Sequence, residues 1–373
     1  MSPHATRRER LCEIIVQEGL DTVLITNPVN VAYLTGFSGD SSQLIVGINK
    51  ALLVSDGRFT GQIAEECPGL ESYIRGTAQT LLEATVAQLN SLGAHKIGCE
   101  SGHLTIADFQ KLTDGVKTAE WKPAQDRVEN LRQIKDETEI VRIRASIKVA
   151  ERAFAMFRAM LQPDDTEKEL TDALESYVRR AGGAESAFPP IVAVGARAAL
   201  PHAPPSLKKV RDDPLLLIDW GATAALYKSD LTRVLWSHNN VAFPGMRGPS
   251  PKLQAIHAIV AEAQRRAIAA MRPGVSSKLV DQTARGYIAD QGYGDAFNHG
   301  LGHGFGLDIH EAPFIRPNVD VQLQAGMVVT CEPGIYLPGW GGVRIEDDIL
   351  ITPDGPEILT NCPRELEECV LEF

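Results

Sequence analysis

The stretch His299-Gly-Leu-Gly-His303-Gly-Phe-Gly-Leu-Asp-Ile-His310 holds three of the nine histidines of this 373-residue chain within twelve positions. A helix is disfavoured there by glycines at four alternate positions, Gly300, Gly302, Gly304 and Gly306. The spacing predicts an extended segment with His299 and His303 on one face, and glycine leaves room for a ligand beside the imidazoles. The alternative interpretation is a glycine-rich turn with surface histidines.

Four carboxylates lie inside or at the ends of apolar runs: Asp219, Asp230, Glu332 and Glu346. Singly, each is explained as an acid at the end of a strand. An ionised carboxylate is costly to bury without a cation, a metal ion or a hydrogen-bond network. A turn midway between Asp219 and Asp230 would place these two acids opposite each other across a hairpin. A stronger turn signal, Pro338-Gly-Trp-Gly-Gly342, lies between Glu332 and Glu346, so two hairpins with paired carboxylates are predicted.

These acids and one nearby histidine would form a five-ligand metal site. Carboxylate oxygens with one imidazole suit Mn²⁺, Co²⁺ or Zn²⁺ better than a soft metal. Four negative charges exceed what one divalent ion requires. Two ions roughly 3.5 to 4 Å apart, bridged by carboxylates and a hydroxide, would match the set and supply a nucleophile near neutral pH. Hydrolysis is therefore favoured over redox chemistry.

Composition and charge exclude several classes of protein. The chain is 44% hydrophobic and 23% charged, which is typical of a folded globular protein. Its net charge of −11 and the lack of a dense basic block argue against a nucleic-acid partner. No apolar run approaches the roughly 20 residues that span a bilayer, and the first residues are charged, so we expect a cytoplasmic protein without a membrane partner. The six cysteines show no Cys-x-x-Cys spacing and are expected to be reduced.

The chain changes pattern near 123–126, which divides it into domains 1–125 and 126–373. The first domain alternates strand and helix signals and is predicted to be α/β. Its predicted strands are 22–26, 43–46, 51–55 and 96–99, and its predicted helices are 8–17, 61–67 and 81–92. The second domain is predicted to be mixed α+β, with helices 137–161, 252–271 and 275–291 and strands 214–220, 226–236, 326–332 and 343–351.

Five motifs in this order resemble the signatures of the Xaa-Pro peptidases, the family of aminopeptidase P and prolidase. They are Ile218-Asp-Trp-Gly-Ala222, Tyr227-Lys-Ser-Asp-Leu-Thr-Arg233, the histidine stretch through Glu311, Glu332-Pro-Gly-Ile-Tyr336 and Gly342-Val-Arg-Ile-Glu-Asp-Asp348. The first domain resembles the creatinase-like amino-terminal domain of that family at Asn30-Val-Ala-Tyr-Leu-Thr-Gly-Phe-Ser-Gly39 and Asp56-Gly-Arg58.

The resemblance implies a two-domain α/β protein, with a creatinase-like domain at 1–125 and a pita-bread α+β catalytic domain at 126–373. It implies a dinuclear metal-dependent exopeptidase that hydrolyses the Xaa-Pro bond at the amino terminus of peptides or dipeptides. Two divalent ions, Mn²⁺ foremost and Co²⁺ or Zn²⁺ as alternatives, would be held by Asp219, Asp230, His303, Glu332 and Glu346. A peptide is the implied substrate, and a homodimer is the implied assembly.

The same resemblance assigns roles to single residues. Asp230 and Glu346 would bridge the two ions, and Glu332 would act as general base. His310 and His299 would contact the substrate around the scissile bond. Two further candidates each leave a structural alternative open. His202, a further substrate-side histidine by resemblance, is also explained as a loop histidine between prolines. Arg344, which would orient a ligand carboxylate, is also explained as a surface cation, although its two-residue offset from Glu346 puts both on one strand face.

Two other functions share this fold. A methionine aminopeptidase is disfavoured by the creatinase-like first domain, and a non-catalytic pita-bread interaction protein by the presence of all five ligands. The accepted substrate length stays open. Prolidases that resemble this chain often carry an arginine directly after the His-Glu-x-Pro run, where this sequence has Phe314, with Arg316 two residues later. Arg316 or a residue of the first domain could bind the substrate carboxylate.

Overall fold

The computed structural model describes residues 2–237 and 248–371. Its chain divides into two compact units, Met1–Arg132 and Gln133–Phe373. Within the described residues, no helix combines the length and the apolar character that crossing a membrane requires.

The first unit is built on one six-stranded sheet. Its strands are β1 Thr22–Ile25, β2 Ser42–Gly47, β3 Lys50–Asp56, β4 Glu71–Arg75, β5 Lys96–Glu100 and β6 Glu120–Ala124, in the order β4-β3-β2-β1-β5-β6. Strand β2 is antiparallel to both neighbours, whereas the other three pairs are parallel. Its helices are α1 Pro3–Gln17, α2 Pro28–Thr35, α3 Thr60–Glu66, α4 Leu81–Leu92, α5 Ile106–Gly115 and α6 Arg127–Arg132. Parallel pairs need crossover connections, which these helices supply, and the predicted α/β class is confirmed.

Local sequence explains where these helices begin and end. Asn27 caps α2 by accepting a hydrogen bond from the Val29 amide, with proline at the first helical position. Thr80 and Glu83 form a reciprocal capping box at the start of α4. Gly36 and Gly93 end these two helices in the left-handed conformation that glycine adopts without strain.

The first unit ends after α6, later in the chain than the boundary that the sequence predicts. Arg127 of α6 donates to Glu18 Oε2 at 2.6 Å, and Arg132 donates to Asn30 Oδ1 at 2.9 Å. These side-chain contacts hold α6 within the first unit. The change in sequence pattern near residue 125 marks the start of a helical tract. The unit to which α6 belongs depends instead on its contacts with residues far away in the chain.

The second unit contains antiparallel sheets and long helices. Its strands are β7 Glu185–Ser186, β8 Ile191–Val194, β9 Leu215–Trp220, β10 Ala222–Ala224, β11 Tyr227–Lys228, β12 Leu231–Ser237, β13 Gly302–Gly304, β14 Glu311–Ile315, β15 Val328–Cys331, β16 Gly334–Leu337, β17 Gly341–Arg344, β18 Asp347–Thr352, β19 Gly355–Ile358 and β20 Val370–Leu371. They form the sheets β11-β10-β7, β20-β12-β9-β8, β14-β13-β15-β18-β19 and β16-β17. Among the described strand pairs of this second unit, only β12 with β20 is parallel. The predicted α+β class is confirmed.

The helices of this unit are α7 Glu137–Met160, α8 Glu167–Arg180, α9 Pro251–Ala270 and α10 Ser277–Asp290. The predictions of α7, α9 and α10 are confirmed. Helix α8 is absent from the predicted elements, although Thr166 and Glu169 form a capping box at its start. Leu170, Leu174 and Val178 form its buried stripe at the i, i+4, i+8 spacing of an amphipathic helix.

One of the two predicted hairpins is misplaced by two residues. Strand β9 pairs with β12 so that Asp219 lies opposite Thr232, and Asp230 lies outside this ladder. The turn falls at Ala225 and Leu226, which both have positive φ, and no residue type there signals it. A shift of two residues keeps the same strand face, so both acids still point to one side.

The second predicted hairpin is confirmed. Cys331 pairs with Asp347, and Gly334 pairs with Arg344 in the next ladder. Both pairs have the same register, which puts Glu332 opposite Glu346. Gly339 lies at the tip of this hairpin with a φ of 80°, a left-handed conformation that favours glycine.

Candidate metal site and substrate cavity

A cavity of about 630 Å³ in the second unit is lined by every residue that the sequence predicts for the site. These are Asp219, Asp230, Glu332, Glu346, His202, His299, His303, His310 and Arg344. The remaining wall is mostly apolar and includes Phe188, Ile191, Phe314 and five prolines. The structure thus brings together residues that lie more than 100 positions apart in the chain.

The glycine-rich segment holds His303 on strand β13. A Cβ at Gly302 would come 2.2 Å from the Thr330 carbonyl oxygen, and one at Gly304 would come 2.5 Å from the Ala312 carbonyl oxygen. The alternating glycines therefore serve the close approach of neighbouring backbone, in addition to the space for a ligand that the sequence predicts. Gly300 and Gly302 do line the cavity.

Three side chains are close enough to share one ion. Asp230, His303 and Glu346 each offer a ligand atom, and these atoms lie within 4.8 Å of one another. His303 Nε2 is 3.6 Å from Asp230 Oδ2 and 3.5 Å from Glu332 Oε1. His303 Nδ1 lies 3.1 Å from the Gly304 carbonyl oxygen, which can only accept, so Nδ1 carries the proton. The lone pair of Nε2 therefore faces the carboxylates, as in a histidine that binds a metal ion.

The buried acids disfavour one another's ionisation. Burial raises the pKa of Asp230 well above its usual range, and Glu346, Asp219 and Glu332 add to the shift. Burial and Glu346 likewise raise the pKa of Glu332 well above its usual value. Burial and Asp219 raise the pKa of Glu346 to about 8. A divalent cation among these acids would oppose these shifts, because it stabilises the ionised forms.

The residues present fit divalent metal ions. Asp219 Oδ1 is buried and has no hydrogen-bond partner among the described residues. Buried polar atoms are nearly always paired, so this oxygen is free to coordinate an ion. The donor set of carboxylate oxygens with one neutral imidazole is the set that such ions prefer.

Arg344 connects the carboxylates on the inner side of the cavity. Its guanidinium donates to Asp219 Oδ2 through Nη2, to Thr232 Oγ1 at 2.9 Å through Nε, and to the Tyr336 hydroxyl at 2.9 Å through Nη1. Thr232 in turn donates to Glu346 Oε2 at 2.6 Å. Arg344 is 3% exposed, so the alternative of a surface cation is wrong.

His299 is hydrogen-bonded within the protein at both ring nitrogens. Nδ1 lies 2.7 Å from the Gly300 carbonyl oxygen, and Nε2 lies 2.9 Å from the Tyr336 hydroxyl. The Gly300 carbonyl oxygen can only accept, so Nδ1 carries the proton of the neutral ring and Nε2 accepts from the Tyr336 hydroxyl. Burial and the charge of Arg344 lower the pKa of His299 to about 3. A hydrogen bond from His299 to substrate would require one of these two bonds to break.

His310 and His202 differ from His299. Both are exposed at the cavity, and neither ring makes a hydrogen bond within the part of the chain that the structure describes. The ring of His310 meets that of His303 edge to face, with centroids 4.4 Å apart. Burial lowers the pKa of His310, and the charge of His202 adds to this. Their ring nitrogens are therefore available to a substrate.

Tyr336 and Thr232 are absent from the predicted site residues. Both lie inside the motifs quoted from the sequence, but a hydroxyl in a strand carries no local signal of its partner. Thr330 is a third such residue, since its hydroxyl accepts from the His303 amide at 3.1 Å and donates to Glu332 Oε1 at 3.3 Å. These contacts exist only once the strands are paired.

Two family models match this chain in order. Residues 7–134 match the Creatinase/Prolidase N-terminal domain, and residues 141–353 match metallopeptidase family M24. The creatinase-like and pita-bread fold classes expected from the motifs are thereby confirmed. Members of this family are hydrolases that use divalent metal ions.

The similarity to known proteins extends over nearly the whole chain. The Xaa-Pro dipeptidase of Pyrococcus horikoshii is 35% identical over 360 residues, covering 96% of this chain and 97% of that protein. The structure of an Xaa-Pro dipeptidase from Bacillus anthracis matches with a TM-score of 0.91 and 35% identity, covering 99% of this chain and 100% of that one. The X-Pro aminopeptidase from Thermotoga maritima matches with a TM-score of 0.86 and 36% identity, covering 93% and 97%. With both family models matched in order, the chain belongs to metallopeptidase family M24.

Proposed function

We propose that this chain is a metal-dependent exopeptidase that hydrolyses the Xaa-Pro bond at the amino terminus of dipeptides or short peptides. The observation that carries this proposal is the single cavity in which buried carboxylates, one ligating imidazole and two free imidazoles face one another. The similarity of this chain to an Xaa-Pro dipeptidase and to an X-Pro aminopeptidase supports the choice of bond.

Asp219, Asp230, His303, Glu332 and Glu346 would hold the two divalent ions. Mn²⁺ is the first candidate, and Co²⁺ and Zn²⁺ fit the same donors. Bound ions would polarise the scissile carbonyl and activate a water molecule. Three of these ligands need no large rearrangement, because the Asp230, His303 and Glu346 donor atoms are already within 4.8 Å of one another.

Glu332 would move the proton during hydrolysis. Its side chain is 16% exposed and lies at the cavity, and its Oε1 accepts from Thr330. Glu332 would take the proton of the attacking water and then donate it to the departing proline nitrogen.

The histidines would divide the remaining work. His310 and His202 would donate hydrogen bonds to the substrate around the scissile carbonyl, where negative charge develops. His299 and Arg344 would hold this wall in place, since Arg344 binds Asp219 and reaches His299 through Tyr336. In this division His299 acts through the wall and needs no direct bond to the substrate.

The cavity wall carries charges of both signs. The substrate ammonium group would bind near the carboxylates, which restricts cleavage to the amino terminus. Arg316 lines the cavity and lies over the Phe314 ring at 4.8 Å, and it makes no ion pair among the described residues. A free substrate carboxylate would fit this guanidinium, so short peptides and dipeptides are the proposed class. A homodimer remains part of the proposal.

The test removes one proposed ligand at a time. Asp230→Asn and Glu332→Gln are expected to lose turnover of an Xaa-Pro dipeptide, and Asp230→Asn is also expected to bind less metal. The matched control is Asp172→Asn, an exposed acid on α8 paired with Lys168. Full activity in either site variant, with the metal content of the control, would reject the proposed site.

A further inference from the structure

A buried ion pair lies beside the loop that carries His310. Lys135 Nζ donates to Glu311 Oε1 at 2.7 Å, and the two side chains are 1% and 5% exposed. Neither residue belongs to the proposed ligand set, and Glu311 directly follows His310. Desolvation offsets much of the attraction in such a pair, so global stability alone is a weak reason for it.

Lys135 is anchored through its main chain. Its amide donates to the Gly326 carbonyl oxygen at 2.8 Å, and the Gly326 amide donates to Ile351 of β18 at 2.8 Å. The following residue, Asp136, is the N-cap of α7 and accepts from the amides of Thr138 and Glu139. The backbone of Lys135 is therefore held between the amino terminus of α7 and the sheet that contains β13 and β15.

The other partner, Glu311, is the first residue of β14 and directly follows the loop between β13 and β14. Glu311 pairs with Gly304, directly after the register shift that follows His303. A Cβ at Gly306 would lie 2.7 Å from Glu311 Oε1 and 3.2 Å from Lys135 Cε, so the loop passes directly over the ion pair. The Lys228 amide donates to the Gly306 carbonyl oxygen at 2.8 Å. The loop is thus confined between the ion pair and the strand that leads to Asp230.

His310 depends on this support for its position. Its own ring makes no hydrogen bond among the described residues, and its edge-to-face contact with His303 is weakly directional. The backbone on either side must therefore orient it. We propose that Lys135 is a positioning residue, which holds loop 305–310 through Glu311 so that His310 faces the substrate. Only the effect on turnover rests on the proposed function.

The variant for testing this role must fold. Lys135→Met or Glu311→Gln alone changes one partner of a buried ion pair and is expected to destabilise the protein. The double variant Lys135→Met/Glu311→Leu replaces the pair with apolar side chains, which buried sites commonly tolerate. The control is Arg127→Met in the first unit, which breaks the partly buried pair of Arg127 with Glu18.

The first measurement is made on the metal-free full chain. Histidine is labelled with ¹³C and ¹⁵N, and the His310 ring signal is assigned by its loss in His310→Ala. We expect this signal to shift in the double variant, because the loop is released, and to stay in place in Arg127→Met. This result does not depend on substrate or metal and therefore holds even if the proposed function fails.

The second measurement is turnover of an Xaa-Pro dipeptide with saturating Mn²⁺. A displaced catalytic group lowers kcat, so we expect a fall of roughly 10- to 100-fold in the double variant. The metal content and thermal midpoint should stay near those of the parent protein. Lys135→Arg/Glu311→Asp, which keeps the ion pair, should recover part of the kcat.

Three outcomes would overturn the inference. In a folded double variant, an unchanged His310 signal would show that the ion pair does not position the loop. A shifted signal with unchanged kcat would show that the position of His310 does not matter for turnover. A lower kcat without a shifted signal would place the effect elsewhere than His310.

Discussion

The two units bury carboxylates in opposite ways. In the first unit, the Glu100 carboxylate accepts from the Thr26 amide and hydroxyl, from the Asn27 amide at 2.8 Å and from Asn30 Nδ2 at 2.6 Å. In the second unit, Asp230 faces other acids, and its carboxylate receives no hydrogen bond within the part of the chain that the structure describes. An acid with a full set of donors stabilises the fold, whereas acids aimed at one another call for a cation.

Among the changes that test this contrast, removal of metal ions is expected to have the largest effect on activity and on thermal stability. Dialysis against a chelator should abolish peptidase activity and lower the thermal midpoint, because bound ions stabilise the folded state by mass action. Activity assays and thermal unfolding before and after addition of Mn²⁺ measure both effects. Full activity in protein shown to be metal-free would contradict the view that the facing acids of the second unit, unlike Glu100 of the first, serve to bind a cation.

Replacement of Arg344 should have the next largest effect. Arg344→Lys keeps the charge, but a lysine cannot bind Asp219, Thr232 and Tyr336 together as the guanidinium does. We expect metal affinity or kcat to fall roughly 10- to 100-fold, as is usual when the support of a metal ligand is lost. Arg144→Lys, at an exposed ion pair with Glu357, is the control. Equal affinity and kcat in both variants would contradict the role of Arg344.

Replacement of Arg316 tests the positive charge that it contributes to the cavity wall. Arg316→Gln should raise the KM of an Xaa-Pro dipeptide roughly tenfold, equivalent to about 1.4 kcal/mol of binding free energy. The corresponding Xaa-Pro amide lacks the carboxylate, so its KM should not change. Arg180→Gln, at an exposed arginine on α8, controls for net charge. An equal rise for dipeptide and amide would argue against carboxylate binding by Arg316.

Replacement of Glu100 should leave activity unchanged and should lower the stability of the protein measurably. Glu100→Gln keeps the shape but loses an acceptor to several donors, so we expect the free energy of unfolding to fall by about 1 to 3 kcal/mol. Urea unfolding measures this loss, with the exposed Glu120→Gln as control. The kcat per folded molecule should match that of the parent protein. A large loss of kcat in the stable fraction would show that the first unit's acid is not purely structural.

Local patterns were sufficient for much of the fold. The stripe Ile140, Ile143, Ile147 and Phe154 predicts α7, and these side chains are buried. The turn around Gly339 predicts the hairpin that places Glu332 opposite Glu346. The hairpin near Asp219 was misplaced because its turn uses Ala225 and Leu226, residues that do not favour positive φ.

For the candidate site, residue types and their order in the chain were readable before the structure. The sequence alone determined which donors exist: carboxylates, whose oxygens are hard donors, together with imidazoles. It also placed the carboxylates at the ends of buried strands. Those properties follow from single side chains and from the short-range alternation of apolar residues.

Only the tertiary structure decided which atoms face each other. Three features of the site depend on pairings across long stretches of chain. They are the Tyr336 hydroxyl between Arg344 and His299, the Asp219 Oδ1 that has no partner among the described residues, and Lys135 beneath the loop of His310. Such contacts form when packed strands and helices bring side chains within about 3 Å, and hydrogen bonding at that range is set by geometry that no local sequence pattern encodes.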